Sequence, residues 1–186
     1  MRLFVAIGVP DSWRAAAAAA TAAIERDSGV RLRAVHPSLM HLTLRFLGEV
    51  PDDRVAPLTE ALRDAVPPVE IELALGPAGT FGPPQRAQVV WLGVTGDLEA
   101  LQALADRIET ASRAAGLPSE DRPLRPHLTL ARLGRSLTPE DRRAVAEAAR
   151  RLEAPPPLPF HAHEVQLVQS TLANPRPVYE VLARFV

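Results

Sequence analysis

The 186-residue chain contains no cysteine and no lysine. The lack of cysteine excludes disulfides, thiolate metal sites and cysteine nucleophiles, and it fits the reducing cytoplasm, which is the location we expect. All 21 basic residues are arginine, a side chain suited to bidentate contacts with phosphate. Aromatic residues make up only 4% of the chain, so aliphatic side chains must fill the core.

A strong excess of positive charge is also missing, since the formal net charge is −1. Proteins that coat long nucleic acids usually carry a large basic excess. If this chain handles RNA, we expect it to hold an end or a few nucleotides. No membrane association is expected, because the apolar run from Leu3 to Val9 ends at Pro10 and the run Ala15–Ala20 is too brief to span a bilayer.

The periodicity of apolar residues predicts the same order of elements in each half of the chain. Each half has a strand, a helix, a loop, a strand beginning HLTL, a helix and a further strand. Strands are predicted over 2–9, 41–50, 69–75, 89–94, 127–134, 160–170 and 178–186, and helices over about 11–26, 51–65, 97–115 and 138–152. Residues 76–84, rich in glycine and proline, are predicted to form a loop.

The spacing of these elements indicates a duplication. Leu3 and His41 are 38 positions apart, and so are Val89 and His127. We therefore predict an α+β fold with two lobes related by a pseudo-two-fold axis, in which antiparallel sheets line a central cleft and helices lie outside. Residues 1–186 would form a single domain, with N-terminal lobe elements over about 1–80 and the C-terminal repeat over about 85–186.

The repeated segments His41-Leu42-Thr43-Leu44 and His127-Leu128-Thr129-Leu130 are the strongest functional signal. Alternate side chains of a strand share a face, so each segment turns its histidine and threonine one way and its two leucines the other. One such segment alone would more often be an ordinary amphipathic strand. The matched pair instead predicts a cleft that holds two histidines and two threonines.

This set of side chains suits the hydrolysis of a cyclic phosphate. One group must take a proton from water, and another must give a proton to the departing ribose oxygen. Imidazole, with an ordinary pKa of about 6.5, can do either near neutral pH. Threonine hydroxyls can donate hydrogen bonds to the non-bridging oxygens. The chemistry requires no metal and no other cofactor.

The sequence resembles the 2H phosphoesterase superfamily, and within it the bacterial and archaeal RNA 2′,3′-cyclic phosphodiesterases, formerly called 2′-5′ RNA ligases. The resemblance covers nearly the whole chain. It rests on RLFVAIGVP at 2–10, HLTLRFLGEV at 41–50, VVWLGV at 89–94, RPHLTLARLG at 125–134, and EVQLVQSTL at 164–172 with Tyr179. The chain departs from the family before the first motif, where members often carry an aromatic residue and this sequence has RAVH at 33–36.

The resemblance implies hydrolysis of a 2′,3′-cyclic phosphate to a 2′-phosphomonoester, on RNA ends or small cyclic nucleotides. It implies that His41 is the proton donor to the leaving 3′ oxygen and that His127 is the proton acceptor that activates water. The residues alone leave this order open. Thr43, Thr129 and Arg132 would bind the phosphate. Nothing in the sequence demands more than a monomer.

Arg132 is an odd number of positions from both His127 and Thr129. A regular strand would point it away from the cleft, so it needs a bulge, the end of the strand or its own length to reach the phosphate. Arg45 is an even number of positions from His41, so a regular strand would point it toward the cleft, although a solvent-facing arginine is the commoner outcome.

Other residues are predicted to have structural roles. His161 and His163 could ligate a metal together with the adjacent Glu164, but a catalytic zinc usually needs three protein ligands, so a surface pair is predicted. Trp91 and Phe46 are predicted to pack in the core. The solvated face of one helix is predicted to carry Arg142, Arg143, Arg150 and Arg151.

Two other functions compete with hydrolysis. The chain could be a binding module for RNA ends that has lost turnover, although both motifs are intact. It could also join RNA ends through a 2′-5′ linkage, which is the reverse reaction in the same cleft. Water at about 55 M favours hydrolysis by mass action, and no nucleotide-binding motif supports a ligase driven by ATP.

Overall fold

The computed structural model describes residues 1–174 and 176–186. In this part of the chain the helices are α1 Asp11–Ser28, α2 Asp52–Ala65, α3 Leu98–Ala114 and α4 Pro139–Arg151. The strands are β1 Arg2–Gly8, β2 Arg33–Ala34, β3 His41–Glu49, β4 Ile71–Phe81, β5 Val89–Gly96, β6 His127–Arg132, β7 Phe160–Ala162, β8 Val165–Thr171 and β9 Val178–Phe185. All four predicted helices are present, and their ends lie within a few residues of the predicted ones.

The strands form one antiparallel sheet in the order β7-β4-β5-β6-β3-β1-β8-β9, with β2 beside β6. In the middle of the sheet β3 and β6 meet where Leu42 lies opposite Leu128. The far end of β6 pairs instead with β2, where Arg33 lies opposite Arg132. Two halves of four strands each are therefore joined at the two HLTL segments, and the predicted α+β fold is confirmed.

The two halves of the sheet do not correspond to the two halves of the chain. Strand β4, assigned to the N-terminal lobe of about 1–80, pairs with β5 and β7 in the other half. Strands β8 and β9, assigned to the C-terminal repeat of about 85–186, complete the half that contains β1 and β3. The predicted lobe boundary is therefore wrong, because each half of the sheet is completed by strands from the opposite half of the chain.

One face of the sheet packs against the helices and forms the main core. Helix α1 packs against α4, and α2 packs against α3. Their buried side chains, such as Trp13 and Ile108, join Leu42, Leu128 and other sheet residues in one apolar cluster. None of the helices in the described part of the chain combines the length and the apolar character that a membrane span requires.

Two predicted segments differ from the structure. Residues 76–81, predicted as loop, continue β4 past a register shift between Leu75 and Ala78. Gly79 leaves room within this strand for the ring of Trp91, because a Cβ on Gly79 would lie 2.6 Å from the ring carbons. The single strand predicted over 160–170 is divided at His163 and Glu164 into β7 and β8, which lie in opposite halves of the sheet.

Candidate active site

The two HLTL segments present their histidines and threonines on the face of the sheet away from the helices. The leucines of both segments are buried in the main core, and His41, Thr43, His127 and Thr129 are half-buried. Because Leu42 lies opposite Leu128 in an antiparallel register, His41 aligns with Thr129, and Thr43 aligns with His127. We call this surface the histidine face; it brings together the four residues that the motifs predict.

Each imidazole is held by a hydrogen bond to the backbone two residues before it. The Nδ1–H of His41 donates to the carbonyl oxygen of Leu39 (2.8 Å), and the Nδ1–H of His127 donates to that of Arg125 (2.6 Å). A carbonyl oxygen can only accept, so Nδ1 carries a proton in both rings. In each histidine Nε2 is left as the nitrogen that can accept or donate a proton.

Aromatic side chains fix the position of both rings. Phe4 stacks on His41 with a centroid distance of 4.6 Å and an interplanar angle of 26°, and Tyr179 meets His41 edge-on at 5.5 Å. Phe81 packs edge-on against His127 at 4.7 Å. Sequence reasoning gave neither phenylalanine a role at the site, because both reach it from other strands and no local spacing connects them to the histidines.

The surroundings favour the neutral form of both histidines. Burial, the largest effect, lowers the pKa of His41 below its usual value, and the charges of His127 and Arg132 act in the same direction against the opposing hydrogen bond to Leu39. Burial also lowers the pKa of His127, again with a contribution from Arg132. The charge of Arg132 thus acts on both imidazoles.

A β-bulge brings Arg132 to the histidine face. Thr129 pairs with Trp91 and Ala131 pairs with Val90, so Leu130 is the extra residue. Leu130 and Ala131 consequently both point into the core, where each is 0% exposed, and Arg132 returns to the face of Thr129. Burial raises the pKa of Tyr179, and the positive charge of Arg132 acts in the opposite direction. The bulge therefore explains how Arg132 reaches the same face as His127 and Thr129, although it is an odd number of positions from both.

Comparison with known proteins identifies the family. Residues 9–174 match the family model of the 2′-5′ RNA ligase superfamily. The chain belongs to this superfamily. The resemblance drawn from the sequence is therefore confirmed.

Two relatives and one solved structure match this chain over nearly its full length. The RNA 2′,3′-cyclic phosphodiesterase of Archaeoglobus fulgidus is 32% identical over 185 residues, which are 100% of this chain and 99% of the relative. The Thermus thermophilus protein of the same name is 31% identical and covers 100% of this chain and 89% of its own. The crystal structure of Escherichia coli LigT complexed with 3′-AMP has a TM-score of 0.78 at 28% identity, with 99% of this chain and 96% of LigT covered.

An equivalent bulge occurs in β3, in the other half of this fold of the 2′-5′ RNA ligase superfamily. It overturns two predictions. Val5 pairs with Arg45 and Ala6 pairs with Thr43, so Leu44 is the extra residue. Arg45 thus turns to the helix side, where it is 4% exposed and pairs with Glu109; it faces neither solvent nor the histidines. Phe46, predicted in the core, lies on the histidine face instead and is 49% exposed.

Buried Arg45 anchors the loop that leads into the second motif. Its Nη2–H donates to the carbonyl oxygen of Pro118 (2.5 Å), and its partner Glu109 accepts a hydrogen bond from the backbone N–H of Glu120 (3.3 Å). Arg122 binds Glu120 with two hydrogen bonds of 2.8 Å, which help lower the pKa of Glu120 to about 2. The approach of the chain to His127 is therefore fixed at several points.

Trp91, also predicted in the core, lies half-buried on the histidine face of β5, where it packs on Phe81 at 5.4 Å and over Gly79. It borders a cavity of about 480 Å³ between β4 and α4, which Arg143 and Arg150 also line. A second cavity of about 240 Å³ surrounds Arg45 and Glu120. Neither histidine lines either cavity.

The other predicted pair, His161 and His163, lies on β7 and just after it. His161 lies 4.0 Å from Glu72, and the Nδ1 of His163 faces the backbone of His161 at 3.3 Å. Within residues 1–174 and 176–186, no group of three or more histidine, cysteine, aspartate or glutamate side chains is arranged to hold a metal ion. His161 and His163 are exposed, in keeping with a surface pair.

Proposed function

We propose that the chain hydrolyses RNA 2′,3′-cyclic phosphate ends to 2′-phosphomonoesters without a metal ion, and that residues 1–186 act as one 2H phosphoesterase domain. One observation carries the proposal: two imidazoles on adjacent strands have their Nδ1 atoms fixed by carbonyl oxygens and their Nε2 atoms available. The relatives named RNA 2′,3′-cyclic phosphodiesterase support this activity. The 3′-AMP bound by E. coli LigT supports a nucleotide substrate.

In the proposed reaction, His127 accepts a proton from water as the water oxygen attacks phosphorus. The bond from phosphorus to the 3′ oxygen breaks on the opposite side, and His41 donates a proton to that oxygen. Atoms balance with one water consumed and one 2′-phosphomonoester formed. Each acid or base contributes about 100- to 10,000-fold to the rate.

The charge of the pentacoordinate phosphate would be stabilised by Thr43, Thr129 and Arg132. All three lie on the histidine face, with Arg132 brought there by the bulge at Leu130. Donors already in place where negative charge develops are typically a large part of catalysis.

Both histidines have lowered pKa values in the free protein, chiefly because of burial, so the protonated form of His41 that the reaction uses is disfavoured before the substrate binds. A bound phosphate monoanion raises the pKa of a nearby imidazole, because an adjacent opposite charge favours the cationic form. The bound substrate therefore favours protonation of His41, the group that acts on it as the acid.

The test is an assay in EDTA of an RNA that ends in a 2′,3′-cyclic phosphate. His41→Ala and His127→Ala are compared with the wild type and with His163→Ala, a control that alters an exposed histidine outside the site. The product is followed by mass, by sensitivity to phosphatase and by chromatography against 2′- and 3′-phosphate standards.

We expect a 2′-phosphate product, a loss of at least about 100-fold in both site variants, and normal turnover in the control. Binding of the cyclic end without turnover by the wild type would instead favour a binding module. Loss of turnover in EDTA would contradict catalysis without a metal.

A further inference from the structure

His41 is held by a carbonyl oxygen whose position is fixed locally. Its acceptor, Leu39, is the last residue of a short 3₁₀ helix, Pro37–Leu39. The backbone N–H of Met40 donates to the carbonyl oxygen of Pro37 (3.1 Å) and closes this helix, and the side chain of Met40 is buried in the main core. The position of Leu39 therefore depends on residues directly before His41.

The acceptor for His127 lies instead in a long segment without helix or strand. Residues 115–126 join α3 to β6, and we call them the second-motif loop. Arg125, which accepts the hydrogen bond from His127, is near the end of this loop. On one side of Arg125, the backbone N–H of Val94 in β5 donates to the carbonyl oxygen of Pro126 (3.3 Å). On the other side, the loop depends on contacts made earlier along its length.

Arg45 provides these earlier contacts from β3, the strand that carries the first motif. Its guanidinium donates to the carbonyl oxygen of Pro118 (2.5 Å) and pairs with Glu109 of α3. Glu109 in turn accepts a hydrogen bond from the backbone N–H of Glu120 (3.3 Å). Because Arg45 is only 4% exposed, water competes little for its hydrogen bonds. Two points of the second-motif loop are thus tied to β3.

The segment before His41 has no equivalent anchor from β6. The bulge in β3 turns Arg45 toward the helices, whereas the bulge in β6 brings Arg132 to the histidine face. Four positions after its histidine, β6 carries Ala131 where β3 carries Arg45. The side chain of Ala131 is buried and cannot donate a hydrogen bond. The link between the two motifs therefore runs in one direction, from the strand of the first motif to the loop before the second.

We propose that Arg45 is a positioning residue for His127; this rests on the proposed function, in which His127 is the base. By tying down the second-motif loop, Arg45 keeps the carbonyl oxygen of Arg125 in place to accept the Nδ1–H of His127. The hydrogen bond at Nδ1 determines that Nε2 is the nitrogen free to accept a proton from water. Without the anchor, the ring can rotate or carry its hydrogen on Nε2, and in that form it cannot act as the base. His41 keeps its own local acceptor.

The test uses two variants at this anchor. Arg45→Met removes the donors and keeps a long side chain, and Arg45→Met/Glu109→Met removes both charges, so that neither is left without its partner. Arg107→Met is the matched control, because Arg107 lies on α3 and donates to the carbonyl oxygen of Ala65 (2.7 Å), outside the second-motif loop. Stability is followed by urea denaturation, and kcat and KM are measured on an RNA with a 2′,3′-cyclic phosphate end.

NMR of the imidazole nitrogens gives the tautomer and the pKa of each histidine without turnover, with His41→Gln and His127→Gln used to assign the signals. In both Arg45 variants, we expect His127 to lose its single Nδ1–H tautomer. Its pKa should fall further, because the hydrogen bond to the backbone of Arg125 raises it. The tautomer and pKa of His41 should stay unchanged, and Arg107→Met should match the wild type at both rings.

The kinetic effect should lie in kcat, with a loss of about tenfold to 100-fold, because a misplaced base slows the chemical step. KM should stay within about twofold of the wild type, since the residues that bind phosphate are untouched. The double variant should recover stability relative to Arg45→Met but not kcat, and it decides the question alone if Arg45→Met does not fold.

Recovery of kcat along with stability in the double variant would overturn the proposal, because Arg45 would then act only on folding. An unchanged tautomer of His127, or equal changes at both histidines, would overturn it as well. If the wild type does not hydrolyse the RNA, the proposed function fails, and the NMR tautomers still decide whether Arg45 holds His127.

Discussion

At the scale of single residues, Arg132 links phosphate binding to the protonation of the histidines. Its guanidinium lies on the same face as both imidazoles and lowers the pKa of each. A positive charge there disfavours the imidazolium forms in the free protein. When a phosphate binds, its negative charge offsets Arg132, and protonation of His41 becomes easier.

The pH dependence of kcat/KM should therefore differ between the wild type and Arg132→Gln. His127 must be neutral, which requires a pH above its pKa, and His41 must be protonated, which requires a pH below its pKa. Because both values are lowered, the wild-type optimum is expected below the ordinary imidazole value of about 6.5. The Gln variant should lose about 100-fold or more in kcat, and its optimum should move to higher pH, because removing the positive charge raises both pKa values.

The control for this measurement is Arg135→Gln, which removes an exposed arginine just after β6. It should change neither the rate nor the profile of kcat/KM against pH. A profile for Arg132→Gln that stays in place would contradict the electrostatic role of Arg132, even if the rate falls.

Residue spacing predicts the two histidines and threonines because strand periodicity is a local property. It does not predict the bulges fully. In the second motif the adjacent apolar pair Leu130 and Ala131 breaks the alternation and gives a weak signal. In the first motif the equivalent pair is Leu44 and Arg45, where a charge hides the bulge, so Phe46 was wrongly predicted in the core.

At the scale of secondary-structure elements, Arg142 of α4 joins two turns beside the second motif. Its guanidinium donates to the carbonyl oxygens of Ala87, before β5, of Gly134, after β6 (2.7 Å), and of Leu137 (3.3 Å). The prediction that Arg142 faces solvent is therefore wrong, whereas Arg143, Arg150 and Arg151 are exposed as predicted. One helix residue thus holds the ends of the two strands that carry Trp91 and Arg132.

Replacing Arg142 with alanine should lower the free energy of unfolding by about 1–3 kcal/mol. The reason is that partly buried carbonyl oxygens lose their donors, and unsatisfied polar groups are costly. Urea denaturation measures the change, and Arg143→Ala, one residue along the same helix, should stay within about 0.5 kcal/mol of the wild type. Equal effects of the two substitutions would mean that the three hydrogen bonds add no stability.

The element pattern was predictable wherever apolar periodicity is strong, as in the four helices. The prediction of a loop was wrong at 76–81, where glycine and proline usually mark a turn. There Gly79 instead allows the Trp91 ring to cross β4, a reason that depends on a residue in another strand. The pairing of β8 with β1, and of β9 with β8, could not be predicted either, because the repeated order of elements does not say which strands pair.

At the scale of the whole molecule, the absence of a basic excess limits how RNA can be held. The net charge is −1, and Arg132 is the arginine whose charge acts on both histidines. Exposed Arg143 and Arg150 line the separate cavity beside α4. The charge distribution therefore suits capture of one terminal phosphate better than binding along a strand.

The salt dependence of KM measures how many phosphates the molecule contacts. For single strands the logarithm of affinity falls with the logarithm of salt concentration by about 0.7 for each phosphate neutralised. For an RNA of about ten nucleotides with a 2′,3′-cyclic end, a plot of log(1/KM) against the logarithm of salt concentration should therefore have a slope between about −0.5 and −1.5. This slope corresponds to one or two phosphates. Adenosine 2′,3′-cyclic phosphate is the control, because it has no further phosphates, and its slope should differ from that of the RNA by no more than one contact. A slope of about −4 or steeper for the RNA alone would mean that the strand continues over a basic surface, with Arg143 and Arg150 as the first residues to replace.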